Sequence, residues 1–482
     1  MRTCYVLVVA AVLCSGAAAE DQVQFNRDGF LLIDGKPRLV IGLYERPDKD
    51  AVLEQVAQSG FNLVRAEADK AALDRLQAHG LYAWISLGGQ LELREGDQAA
   101  RKQLVKTVDA FKGHPALLCW EGPDEALWMA YFAAYSWLMQ EQPKQLTERI
   151  GKAAAKGDPN AAQYAKLLAK AADLTQRSMW KECEELYDAL WKALGGENPR
   201  PELRPTVRIR AAQELGDGLT RGWECIREHD SKHVFWQNHA PCNSTADLRR
   251  YNRAVHAAGC DIYPAPGGMG VRHGQSLRDP ELTAVGLATD LMRQGAPGKA
   301  CWMVLQGFGW TDLKGDPFNP TDPVRGRRPN LQETRFMAYD ALLHGANAIL
   351  YWGTYTVEKD SALWNDLMKT ARELRALEPA IVAAKLDASP VVVAEANYTT
   401  FSGGDPKLMI RQVGGDWVLI AVNEWRFGVA FDVCELPKGL EGKTLYRLYS
   451  DEEHVVKDGR FHDGIIANGV HVYATSRRFE AK

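Results

Sequence analysis

Eight short apolar runs, each followed by a loop and a stretch of helical spacing, constrain this chain more than any other feature. They occupy residues 39–43, 63–66, 82–86, 117–120, 234–237, 260–263, 301–305 and 348–352. A strand that is apolar along its whole length must be covered on both faces, as in a parallel sheet jacketed by helices. Eight such units favour closure over an open doubly wound sheet, so the expected fold class is α/β, a (β/α)8 TIM barrel. Gly60, Gly80, Gly259 and Gly345 precede the second, third, sixth and eighth runs, where the intervening helices are expected to stop.

The spacing breaks once, between the fourth and fifth runs. Residues 143–195 are rich in Ala, Lys and Glu, with Cys183, Tyr187, Leu190, Trp191 and Leu194 at helical intervals. A helical insertion is therefore expected around 126–215, either as a decorated loop or as a wall of a cleft. Before the first run, Asp28-Gly29 and Asp34-Gly35 flank a short apolar segment, which is the pattern of a hairpin. After Pro379 the period changes to two, and residues 408–413 and 417–422 flank Gly414-Gly415-Asp416. The domain reading is a barrel over 20–380, with the hairpin and the insertion, then an all-β sandwich over 381–482.

Residues 1–19 read as an export signal: Arg2, an apolar stretch over 5–13, and Ala17-Ala18-Ala19 before a cleavage expected after Ala19. That stretch is too short to span a bilayer, so a secreted or periplasmic location is expected, with no membrane span. A net charge of -4 over 482 residues gives no reason to expect nucleic acid as a partner. Cysteine shows neither CxxC nor another zinc-like spacing. No metal or cofactor is expected. Cys119, Cys260 and Cys301 sit in apolar runs as small buried hydrophobes.

Active groups of such a barrel lie where strands end at the carboxyl face. That rule selects Tyr44, Glu45, Arg46, Glu67, Asp69, Gln90, Glu121, Asp124, Glu125, Asn238, His239, Asp261, Tyr263, Gln306, Trp310, Asp312, Trp352 and Tyr355. Carboxylates, amides and tryptophans dominate this set, and no Ser-His-Asp arrangement can be assembled from it. Indole faces stack on the apolar faces of sugar rings while amides and carboxylates bind hydroxyls, so a carbohydrate is the expected partner. Trp84 and Trp302 are read as barrel filling, Trp310 and Trp352 as part of a binding site. His239 and His273 are assigned no metal. Arg65 is expected to pair with a carboxylate in the cleft and hold it ionised. The basic run Arg325, Arg327 and Arg328 is read as a solvated loop.

His114-Pro115-Ala116-Leu117-Leu118-Cys119-Trp120, ending in Asp124-Glu125, resembles the fourth strand of clan A glycoside hydrolases. Asp261-Ile262-Tyr263-Pro264 is similar to their sixth strand, and 344–352, ending in Trp352, to their eighth. The resemblance implies an enzyme hydrolysing O-glycosidic bonds, with Glu125 as general acid beside Asp124. It places Trp352 under the sugar next to the cleaved bond. The expected binding residues are Trp352, Tyr263, Gln306, Trp310, Asn238 and Glu45. The chain departs from the pattern at the seventh strand, where Gln306 stands in place of the glutamate nucleophile, and an amide cannot form a glycosyl ester. Asp261 is then the first choice of base, with Glu45, Glu67 and Asp312 behind it. A substrate acetamido oxygen acting as nucleophile is a further route, and a barrel that binds glycan without cutting it is the alternative.

Overall fold

The computed structural model describes residues 22–267, 279–314, 322–386, 389–394 and 404–481. The expected export signal and His273 lie outside them. The chain opens with an antiparallel hairpin, β1 (Leu31–Ile33) and β2 (Lys36–Arg38). Eight parallel strands follow: β3 (Val40–Leu43), β4 (Leu63–Ala66), β5 (Tyr82–Ser86), β6 (Leu117–Glu121), β7 (Val234–His239), β8 (Ala257–Ile262), β9 (Ala300–Gln306) and β10 (Ala348–Trp352). They hydrogen-bond in sequence order and β10 pairs with β3, so the barrel is closed. Each expected apolar run falls on one strand.

The chain stops three of its helices as expected, with Gly60, Gly80 and Gly345 at positive φ (94°, 69° and 97°), a conformation only glycine adopts without strain. Gly259 has a different task. It lies inside β8, where a Cβ would stand 1.5 Å from the Trp302 carbonyl oxygen on β9. The missing side chain is what lets these two strands pair at that level.

Between β6 and β7, helices at Ala126–Ser136, Gln142–Ala155, Ala161–Gln176 and Trp180–Ala193 form the insertion. They pack around a core of their own that includes Trp137, Leu146, Tyr187, Leu190 and Trp191. Buried Gln142 accepts from the indoles of Trp137 (3.1 Å) and Trp191 (3.4 Å), so two large side chains keep polar partners inside it. The long helix Pro205–His229 then returns the chain to β7.

The tail builds two antiparallel sheets. One contains β11 (Val391–Ala394), β14 (Val429–Cys434) and β17 (Phe461–Ile465); the other β12 (Lys407–Val413), β13 (Asp416–Val422), β15 (Thr444–Arg447), β16 (Glu453–Val455) and β18 (Val470–Ala474). Alternation divides β13 between two cores. Leu419 and Ala421 face the sandwich interior, while Val418, Ile420 and Val422 pack with the barrel core. The sandwich is thus seated on the barrel helix Leu331–Leu343 and its neighbours. The seven cysteines among the described residues are all free, and no helix among those residues is long and apolar enough to cross a membrane.

The close approach at Gly259 yields a prediction. Gly259→Ala is expected to lower stability by about 3 kcal/mol, the upper end of overpacking costs, read as a shift of the urea midpoint. An unchanged midpoint would show that β8 and β9 part easily at that point.

Candidate active site

Four aromatic side chains fill the barrel beneath its carboxyl face. Tyr44, just past β3, meets Trp84 edge-on at 5.0 Å and Trp236 at 5.8 Å, and Trp236 meets Trp302 at 5.8 Å. The three indoles are fully buried. Trp84 and Trp302 therefore fill the barrel as the sequence suggests, and Trp236 and Tyr44 join them. Above this floor opens a cavity of about 170 Å³, lined by Tyr44, Asp124, Glu125, Asn238, Asp261, Tyr263, Phe308, Trp310, Leu313 and Trp352. A larger cavity of about 740 Å³ lies at the opposite, amino-terminal end of the strands, away from every strand-end carboxyl.

One wall of the small cavity is aromatic. Tyr263 and Trp352 stack at 5.4 Å with 18° between their planes. Phe308 meets Trp352 at 5.2 Å and Trp310 at 5.2 Å, both edge-on. T-shaped and offset pairs are the favoured arrangements of aromatic rings.

The other wall carries carboxyl groups. Glu125 follows the loop out of β6 with φ 46° and ψ 32°, the left-handed region. A non-glycine residue there costs on the order of 1 kcal/mol. The side chain makes no capping bond to the helix it precedes, so helix capping does not explain it. Its carboxyl instead shares a hydrogen bond with Asp261 at the end of β8. Burial pushes the Asp261 carboxyl above its ordinary range against this bond and those from Asn238 and Tyr263. Asn238 ties the wall together, donating to Asp124 at 2.8 Å and lying 3.4 Å from Asp261. Solvent reaches Asp124 at the mouth, yet the surrounding protein and the charge of Asp261 raise its carboxyl too.

Beneath them Glu121, the last residue of β6, is wholly buried. Desolvation and Asp124 push its carboxyl up from 4.5 to about 7, opposed by Arg65 and the hydroxyls of Tyr44 and Ser86. The Arg65 guanidinium stands 3.8 Å away; the sequence predicts that it holds its partner carboxylate ionised, whereas burial raises Glu121 to about 7 against it.

Seven of the nine residues expected at the site line this cavity: Asp124, Glu125, Asn238, Asp261, Tyr263, Trp310 and Trp352. Two do not. Glu45 turns away from Tyr44 and pairs with Lys359 at 2.7 Å. Gln306 is fully buried and accepts from the Ala265 amide at 2.8 Å while donating to the carbonyls of Ala265 and Phe308 at 3.0 Å. Its amide is committed to holding the loop after β8. Of the lesser candidates, Glu67 pairs with Arg46, and Asp312 takes two bonds from Arg328 at 2.9 Å. His239 is buried against Asn252, and burial lowers its ring to about 4. Within the basic run, Arg327 is bound to Glu333 and Arg328 to Asp312 and Glu358, so these two brace the loop. Tyr44 and Glu121, strand-end residues given no role from the sequence, belong to this site, and so does Phe308.

No protein-family model matches the sequence, and no curated protein does. Solved structures do. A beta-galactosidase from Bacillus circulans sp. alkalophilus aligns with a TM-score of 0.50 at 11% identity, over 91% of this chain and 99% of that one. Gan42B, a GH42 beta-galactosidase from G. stearothermophilus, gives 0.51 at 10% identity, over 91% and 98%. The fold is that of these GH42 barrels. A third, the beta-galactosidase of the psychrophilic Marinomonas ef1, gives 0.43 at 16% identity; 70% of this chain spans 60% of that protein. The clan A resemblance read from the fourth and eighth strands thus extends to the architecture of barrel and sandwich.

Two predictions follow from the buried polar groups. Glu121 holds its proton in the folded chain between its ordinary 4.5 and about 7, while the unfolded chain has already lost it. Stability must therefore fall as pH rises through that window, by about 3 kcal/mol from this group. Urea unfolding at pH 5 and pH 8 should show that decline reduced in Glu121→Gln; an equal decline in both proteins would refute it. Gln306→Glu would set a carboxylate against two carbonyls, costing about 3 kcal/mol or more. If instead it folds normally and gains hydrolytic activity, the amide is not the brace described.

Proposed function

We propose that this protein is an exported glycoside hydrolase acting on O-glycosidic bonds of a poly- or oligosaccharide, with Glu125 as general acid. The observation that carries this reading is a hydrogen-bonded carboxyl pair, Glu125 with Asp261, opposite an aromatic wall in a cavity at the barrel's carboxyl face. The cavity is smaller than the roughly 300–1,000 Å³ of drug-sized sites, which suits one sugar ring lying on Trp352 and Tyr263.

Two carboxyl groups in contact, Asp261 buried and Glu125 half-buried, resist ionising together, so one proton stays with the pair. That proton is available to the leaving-group oxygen as the C1–O bond breaks and the ring gains oxocarbenium character. Asp261, left ionised, is the base of the proposal: it accepts the proton of the water that attacks C1. An inverting pair spans roughly 6.5–9.5 Å to hold that water, so the sugar must part Glu125 from Asp261 as it enters. Asn238 and Tyr263 position Asp261, and Asp124 keeps the local field negative. In a second reading, favoured by the commitment of Gln306 to backbone, the barrel binds glycan without cutting it.

Product release from a broad glycan panel, analysed by mass spectrometry, separates the two. Wild type should release sugars with inversion at the anomeric carbon, and Glu125→Gln and Asp261→Asn should each lose about 10²–10⁴-fold. Activity should also fall as pH rises past the point where the pair loses its shared proton. If Glu125→Gln cuts as well as wild type, the assignment of the acid is wrong. Binding of one glycan with no release by any form would favour the non-catalytic barrel.

A further inference from the structure

A second group of buried polar side chains lies far from the cavity, where the sandwich meets the barrel. Asp340 sits near the end of the helix Leu331–Leu343, and His344 caps that helix. Glu424 reaches them from the sandwich, just beyond β13. Ligand-type atoms of the three lie within 4.8 Å of one another.

Asp340 is fully buried; no N–H reaches its Oδ1, and its side chain meets the Glu424 carboxyl in a carboxyl–carboxyl hydrogen bond. It lies 3.7 Å from His344 Nε2, which is itself 2.7 Å from Glu424 Oε1. Two carboxyl groups and one imidazole nitrogen therefore converge, and a buried carboxylate oxygen without a donor is costly unless a cation or proton meets it.

The surroundings are built to hold these groups in place. Asp340 Oδ2 accepts from the Gly286 amide at 2.7 Å, in the first turn of the helix Ala284–Gly295. Only glycine fits there: a Cβ would come within 2.4 Å of His344 Nε2 and 2.8 Å of Asp340 Oδ2. On its far side His344 presents Nδ1 to Asp290 Oδ2 at 2.9 Å. A carboxylate behind the second ring nitrogen is how metal-ligating histidines are oriented and made more basic. Lys407 also approaches Glu424 Oε1, at 3.4 Å, with 40% of its side chain exposed, so it can withdraw to solvent.

We propose that Asp340 Oδ1, His344 Nε2 and Glu424 form a binding site for one divalent transition ion of the zinc type, joining barrel to sandwich. Metal–ligand lengths of roughly 2.0–2.2 Å set donor atoms about 3.3 Å apart in a tetrahedron. The 3.7 Å pair meets that with a small closure, and Glu424 must draw back by about half an ångström. Three protein ligands leave a fourth position for water. One nitrogen and two carboxylate oxygens suit zinc better than the all-oxygen sets of calcium or magnesium. Asp340 and His344 lie four residues apart, but the third ligand comes from the other domain, so the sequence spacing does not announce the full set.

Zinc chloride titrated calorimetrically into the untagged, chelator-stripped full chain tests this. One ion should bind per chain and raise the melting temperature. Asp340→Asn and Glu424→Gln should each weaken binding at least tenfold, and Asp290→Asn about 10–100-fold. Glu452→Gln, in a separate cluster of the sandwich, should bind as wild type does. Circular dichroism checks that each variant is folded; should Asp340→Asn fail to fold, Glu424→Gln, at the partly exposed ligand, decides. Absence of saturable binding overturns the proposal, as does an affinity unchanged in Glu424→Gln.

Discussion

Eight parallel strands closed on themselves enclose a space that side chains must fill, and in this protein indoles fill it. Trp84, Trp236 and Trp302, with Tyr44, occupy the axis below the carboxyl face. Closure leaves no strand edge to satisfy, and the carboxyl-face groups lie on this buried aromatic floor. Glu121, Asp261 and Tyr263 are carried to the strand ends by the same parallel register and are buried against this floor.

Burial then sets the chemistry. A carboxylate taken out of water resists ionisation unless a cation or donors meet it. Arg65 stands against Glu121 and over the ring of Tyr44. Asp124 and Asp261 both accept from Asn238, and Asp261 also bonds Glu125 and Tyr263. The outcome is a wall of carboxyl groups, of which burial raises Asp124 and Asp261 above their ordinary range, facing a wall of aromatic rings. Gln306 belongs to the scaffold of this arrangement. By bonding both the amide and the carbonyl of Ala265 it fixes the segment that follows Tyr263.

The barrel was legible because its signal is coarse: continuous apolar runs at regular intervals survive any error in their ends. The face of the barrel was legible by rule, and seven residues chosen from strand ends do meet. What the sequence hid depends on finer geometry. Tyr44 and Glu45 are neighbours, and successive side chains leave a strand on opposite sides, so choosing the charged one selected the wrong face. That same alternation was available in the sequence and would have favoured Tyr44. Glu121 stood among the strand-end residues, but the catalytic role went to the acidic pair three and four residues on, although the strand runs to Glu121 without a break. For Gln306 no sequence signal separates a binding amide from a structural one, since its partners are backbone atoms of another loop. Gly259 looked like a helix stop, yet its reason is the Trp302 carbonyl across the ladder.

Barrel, cavity and carboxyl pair meet in one claim, that Glu125 and Asp261 act together on a sugar that becomes cationic in the transition state. Binding of cationic iminosugar ring mimics, followed by the fluorescence of Trp310 and Trp352 across pH, tests it most directly. The account predicts that at least one mimic of a set binds wild type, and that Glu125→Gln and Asp261→Asn each weaken it at least tenfold. It further predicts proton release or uptake on binding that either substitution removes. Equal affinity in wild type and both variants, with no proton exchanged, would contradict it.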